Sequence, residues 1–351
     1  MGPRRLHPAL LVHTTWVAGR RRLVAQASSA RPPLIVNSPL ALSALGALPN
    51  QFDRASASAA WRDAGVPDDA HEPLWTGFEA AGLFADPPRN GPAWWDELEW
   101  REARAYHHAT RDYPFLQMDQ RGAFARDAER MDDYRSESPA PSLYQHVDND
   151  GTVELPRLSA DESPDERLSR MPDDDRRGRD GIGLLLDVCF GERGQMKVAG
   201  HTRCLLKSIP SGGARHPTEV FLGAFDVPGV AAGVYHYDVE HHRLERVRGG
   251  QHRDAFAHAT LDLFAKHASP PAAALVFTSR VERSMWRYRD PRSFRAILVD
   301  TGHAVMAYRH VARTLGFRTY AVQKMHDSEV ADLVGVDRVV QPPLYVGTLV
   351  P

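Results

Sequence analysis

The chain has 351 residues, 42% of them hydrophobic and 25% charged, with a formal net charge of −2. This length suits two domains with proper cores, and the near-neutral balance gives no global attraction to nucleic acid or to an anionic membrane surface. Local basic stretches such as Arg20-Arg21-Arg22 are candidate patches. The two cysteines, Cys189 and Cys204, are too few for a disulfide framework and sit among apolar neighbours, so reduced, buried thiols and a cytoplasmic location are expected. The apolar run at residues 8–13 is too short for a secretion signal, and no stretch approaches the length of a membrane span.

Residues 1–88 read as a small winged-helix-like module. Two strands, Leu10–Val17 and Leu23–Ala27, flank a turn at Ala18-Gly19-Arg20-Arg21, and three punctuated helices follow. Ser38-Pro39 supplies an N-cap and first turn for Leu40–Leu48, Ser56–Ala64 stops at Gly65, and Glu72–Ala81 stops at Gly82. The third helix carries His71, Glu72 and Glu79 and offers no basic face for DNA phosphates, leaving peptide docking or structural packing as its use. Residues 89–155 read as a helical connector and linker, with Trp94, Trp95, Trp100 and Tyr106 in a packing role and loops at Ser136–Pro141 and Asp148–Gly151. The charged stretch Asp161–Asp180 is expected to be mobile or wrapped on the surface.

Residues 156–351 alternate helix and strand. Helices are expected near Gly183–Phe190, Asp254–His267 and Ala296–Leu315, with strands at Glu219–Phe225, Val234–Asp238, Leu244–Arg248, Ala274–Thr278 and Phe317–Val322. Asp327 is expected to cap a last short helix that ends at Gly335, and Leu344–Val350 to form a strand able to cross to a partner. The fold class is therefore α+β with a mixed sheet flanked by helices, and no Gly-x-Gly-x-x-Gly fingerprint follows a strand.

The loop Pro210-Ser211-Gly212-Gly213-Ala214-Arg215-His216-Pro217 precedes a strand, and its glycines free backbone N–H groups to meet a flat or anionic ligand. Taken with Gly233-Val-Tyr-His-Tyr-Asp238, Trp286-Arg-Tyr288 and Thr301-Gly-His303, in that order, it resembles the SagB-type dehydrogenases of the FMN-dependent nitroreductase superfamily. The resemblance covers residues 156–351 and implies a nitroreductase-like FMN domain behind a peptide-clamp module. The implied activity is oxidation of thiazolines and oxazolines in a ribosomally made precursor peptide, within a homodimer that meets both leader and azoline core and associates with a cyclodehydratase.

By the same resemblance, Ser211, Gly212 and Gly213 meet the isoalloxazine edge and Arg215 approaches its carbonyl or phosphate. The family's Arg-x-Ser-x-Arg phosphate clamp finds its nearest match in Arg167, Ser169 and Arg170, with the second arginine displaced by one place. The family's Lys-Tyr pair is replaced by Arg287-Tyr288. Arginine stays protonated and cannot serve as the base, so Tyr288 or a water must take the proton. The same pocket would also suit a nicotinamide-fed nitro- or ene-reductase or a non-catalytic peptide-binding subunit. His303 is expected to pack in the core, and no metal is expected at His107-His108, His236 or His241-His242, for want of a neighbouring ligand.

Overall fold

The computed structural model describes residues 3–351 apart from 8–9, 19, 28–32, 86–94, 96–97, 112, 114, 116, 118, 160 and 199–201. Gly19 of the first turn, Trp94 and the boundary between residues 88 and 89 thus lie outside the described residues. The chain divides into one unit of Met1–Leu116 with Asp290–Arg292, and a second of Gln117–Arg289 with Ser293–Pro351.

In the first unit, β1 (Arg5–Leu6) is followed by the antiparallel sheet β2 (Leu11–Val17), β3 (Arg20–Gln26) and β4 (Leu34–Ile35). Helices α1 (Pro39–Ala47), α2 (Arg54–Asp63) and α3 (Asp68–Ala80) come next, and β5 (Phe84–Ala85) returns to pair with β1. Local chemistry sets the helix starts: Ser38 accepts from Leu40 N, and Asp53 forms a reciprocal capping box with Ser56, because the first turn's N–H groups lack intrahelical partners. The helices bury Trp61, Trp75 and Phe78 around Phe52 and Phe84, and Trp61 Nε1 donates to Ala44 O at 2.8 Å. Helix α4 (Arg101–Thr110) anchors through Tyr106 Oη, which donates to Pro291 O, and through Arg292, which donates to Thr110 O.

The second unit begins with α5 (Ala123–Glu137) and β6 (Thr152–Glu154). The charged stretch at residues 161–180, part of which was expected to be mobile or wrapped on the surface, forms α6 (Pro164–Arg170) and α7 (Asp173–Arg176), and Ser163 and Glu166 make a capping box around Pro164. Then come α8 (Arg179–Phe190), a hairpin of β7 (Glu192–Val198) and β8 (Thr202–Lys207), and the meander β9 (Thr218–Ala224), β10 (Gly233–Asp238) and β11 (Arg243–Gly249). Helix α9 (Arg253–Ala259) leads to β12 (Ala273–Ser279), α10 (Val281–Arg287), the long α11 (Ser293–Thr314), β13 (Ala321–Val322), α12 (Asp327–Val334) and β14 (Pro343–Leu349).

The main sheet runs β13-β14-β12-β9-β10-β11-β6, and every neighbouring pair is antiparallel, not mixed as expected. The reason lies in the connections. Hairpins and same-end returns reverse direction, and β12 and β13, which share a direction across α11, are separated by β14. The last strand, read from the sequence as able to cross to a partner, pairs within its own chain with β12 and β13. Strands β9 and β12 are buried along their whole length, since alternate residues face opposite layers. Val220 and Leu222 pack with Ile182, Leu186 and Tyr308 of α8 and α11, while Phe221 and Val276 pack with Phe256 and Val330 of α9 and α12. Both cysteines are free and buried, and burial pushes the Cys189 thiol up. Among the described residues no helix is long and apolar enough to cross a membrane.

Candidate active site

The Ser-Gly-Gly loop leaves β8 and becomes a single 3₁₀ turn, Gly212–Ala214, before β9. Its conformation is fixed by an acid 88 residues away. The Gly212 N–H donates to both Asp300 carboxylate oxygens at 3.1 Å, and Ser211 Oγ donates to Asp300 Oδ2 at 2.7 Å while accepting from His216 N at 2.9 Å. Asp300 lies on the buried face of α11; burial raises its pKa, and the two donors oppose that rise. The Gly212 N–H is thus taken by Asp300 and does not face outward as the sequence suggested. Gly213 sits at φ +63°, and a Cβ there would lie 1.9 Å from Tyr288 Oη. Glycine is required on both counts.

Tyr288 follows α10 directly, so the helix end delivers its hydroxyl onto Gly213. Arg287 Nη2 spans both Asp127 oxygens at 2.8 and 2.7 Å, and its guanidinium lies 5.0 Å from the Tyr288 ring centroid. Arg287 is thus a neutralised positioning group beside an aromatic ring. Arg215 donates from Nε to Gly213 O at 2.9 Å and from Nη2 to Cys204 Sγ, which braces the loop from below.

The structure therefore brings Ser211, Gly212, Gly213, Arg215 and Tyr288 together. The 167–170 segment stands apart. Arg167 pairs with Glu162 at 3.2 Å and donates to Arg157 O, Ser169 Oγ donates to Glu166 O, and Arg170 lies 3.5 Å from Glu162. Among the described residues no hydrogen bond or ion pair links these three to the Ser211 loop.

Sequence reasoning missed Asp300 and a buried charge network next to the loop. Arg283 pairs with Glu219 at 2.5 Å, Glu219 meets His236 at 3.3 Å, and His236 faces Glu245 at 3.5 Å, all with side chains less than 5% exposed. A lone Glu inside the apolar strand Thr218–Ala224 was the available signal, because a buried carboxylate needs a partner. Burial would raise Glu219, but Arg283 and His236 hold it at about 2. Burial also pushes His216 down to about 3 and Lys207 down to about 8, the latter opposed by Glu219.

Two histidine expectations need correction. His303 is exposed, since the core-facing row of α11 runs through Ile297, Thr301, Ala304 and Tyr308, and residue 303 falls off that row. His241 does have a carboxylate beside it: Asp238 Oδ2 is 2.6 Å from His241 Nδ1, and His146 completes a cluster of possible ligand atoms all within 4.8 Å of one another. Asp238 also pairs with Arg243 at 3.1 Å and accepts from Glu240 N and His241 N, the pattern of a capped hairpin turn.

No family model matches the chain. It is 32% identical over 225 residues to the trifolitoxin-processing protein TfxB of Rhizobium leguminosarum bv. trifolii, covering 60% of each chain. It is 30% identical over 130 residues, or 37% of its length, to a nitroreductase candidate of Methanocaldococcus jannaschii. The chain spans 60% and 64% of the lengths of these two relatives. The crystal structure of a nitroreductase candidate from Anabaena variabilis superposes on 64% of this chain and 45% of its own, with a TM-score of 0.50 and 20% identity.

Proposed function

The chain is a SagB-type member of the nitroreductase superfamily, and from that premise we propose that it oxidises thiazoline or oxazoline rings of a ribosomally made peptide to thiazole or oxazole with bound FMN. One observation carries the reading: the Tyr288 hydroxyl rests on Gly213 beside a turn locked by Asp300, so a hydroxyl and an exposed glycine backbone meet at one point. The trifolitoxin-processing relative supports a peptide substrate.

The donor set suits FMN. Arg170, 71% exposed and only 3.5 Å from Glu162, is able to turn toward a phosphate, and Ser169 and Arg167 stand on the same short helix. Gly213 and Arg215 would lie along the ring edge, held by the Ser211 and Gly212 bonds to Asp300. When bound, FMN supplies the acceptor for the hydride of a two-electron oxidation. The hydrogen on the adjacent ring carbon leaves as a proton, and Tyr288 Oη is the group we place to take it while its own hydroxyl proton passes to water. Arg287, permanently protonated and tied to Asp127, keeps that ring in place. The leader segment would add to the outer edge of β2, beside the exposed Arg20–Arg22 of β3, and a second copy of the chain and a cyclodehydratase would complete the assembly.

The visible spectrum of the purified protein, with mass identification of any released chromophore, tests the premise. Tyr288→Phe tests the mechanism: azole formation should fall by about 10²-fold or more with FMN still bound. A colourless protein that takes up no added FMN would overturn the enzymatic reading, and undiminished azole formation by Tyr288→Phe would remove Tyr288 from the chemistry.

A further inference from the structure

We infer a separate oxyanion-binding subsite in a cavity of about 300 Å³ in the second unit, lined by the guanidinium side chains of Arg135, Arg203, Arg215 and Arg283 with no carboxylate in its wall. Two of these cations are already matched, Arg135 by Asp132 and Arg283 by Glu219. No carboxylate lies within ion-pair distance of Arg203 or Arg215 among the described residues. Arg203 and Arg215 therefore present guanidiniums without a carboxylate partner to a cavity flanked by apolar Pro141, Leu143 and Trp286, a local excess of positive charge that favours an anion.

Arg283 carries a second, independent sign. Its side chain is 4% exposed; Nε donates to Ser142 O and Nη1 to His216 O, both at 3.0 Å, while Nη2 is buried without any partner. A buried charged donor left unsatisfied is costly, and it adds uncompensated positive charge to the residue that backs the cavity wall.

The cavity, at about 300 Å³, is roomy enough for a carboxylate or phosphate end group. Because Ala214 and Arg215 of its wall adjoin Gly213, an anion here would sit within one residue of the candidate catalytic point. The matching chemistry is a planar or tetrahedral oxyanion gripped by forked guanidiniums. Its source is an acidic side chain or the terminal carboxylate of the peptide substrate. The subsite does not depend on the azole chemistry, because anion binding is read without substrate.

The test titrates inorganic phosphate into the full chain by calorimetry, flavin-free and flavin-loaded, for wild type, Arg203→Gln and Arg215→Gln. Arg203 is exposed on the β8 hairpin, so its removal should spare the fold. Expected is saturable binding of one phosphate, weakened about tenfold by either substitution, the scale of one lost charge-assisted contact. If flavin-loaded protein still binds phosphate and phosphate displaces a peptide bearing Glu but not its Gln analogue, the source is a peptide carboxylate. If FMN displaces phosphate and Arg203→Gln erases the preference for FMN over riboflavin, the site is the cofactor's own and the separate subsite is overturned. No saturable phosphate binding in either form, or binding untouched by both substitutions, overturns the subsite.

Discussion

Replacing Asp300 by alanine probes the feature on which the site depends, a buried acid holding a loop 88 residues away. The carboxylate receives the Ser211 hydroxyl at 2.7 Å and the Gly212 amide at 3.1 Å. A hydrogen bond to a charged group contributes about 1.5–3 kcal/mol, so the two donors give about 3–6 kcal/mol before the cost of burying the charge. That cost is real, since burial already raises the Asp300 pKa, and a net loss of about 3 kcal/mol is expected for Asp300→Ala. Amide hydrogen exchange of the loop reads this directly: Gly212 should lose about two orders of magnitude of protection, as 1.36 kcal/mol is a factor of ten. Asp300→Asn keeps one acceptor oxygen and should lose about half as much. A double-mutant cycle with Ser211→Ala should show coupling of about 1 kcal/mol or more. Unchanged Gly212 exchange in Asp300→Ala, or strict additivity in the cycle, would refute the anchoring.

Gly213→Ala places a Cβ at φ +63° and 1.9 Å from Tyr288 Oη; the hydroxyl must retreat by about 1.5 Å, the backbone adds about 1–2 kcal/mol, and azole formation should fall more than tenfold in a protein that still melts cooperatively. Stability should also depend on pH through the buried network. Glu219 and Glu245 are held at about 2, so their contribution is full above about 4.5 and is lost as pH falls from there toward 2. His236 is raised above 6.5 by the two glutamates despite its burial, so its contribution is full below 6.5 and is lost as pH rises through the folded value. Calorimetric Tm against pH should therefore fall on both sides, and Glu219→Gln should flatten the acid limb; an unaltered acid limb in that variant would count against the assignment. Glu219→Gln should also cost about 3–5 kcal/mol at neutral pH by leaving Arg283 buried and unpaired, a loss that Glu219→Gln with Arg283→Met should largely restore in chemical denaturation.

The elements were legible where their signals are local. Ser38-Pro39 opens α1, Gly65 and Gly82 follow the ends of α2 and α3, Gly335 closes α12 at φ +74°, and the apolar runs of β9 and β12 form buried strands, because caps, positive φ and strand periodicity act over a few residues. The Ser-Gly-Gly loop, Tyr288 and the likeness to SagB-type proteins were legible for the same reason, as short ordered motifs. What each motif does to the next was not. Asp300 reaches Gly212 across 88 residues and Asp127 reaches Arg287 across 160, and no local pattern announces either pairing. The phase of a 22-residue helix decided that His303 faces outward, and the order of the strands decided that β14 is inserted between β13 and β12. Backbone sterics and periodicity are properties of neighbouring residues. Which acid meets which donor depends on the layers that close around them, and that partnership exists only once the sheet is assembled.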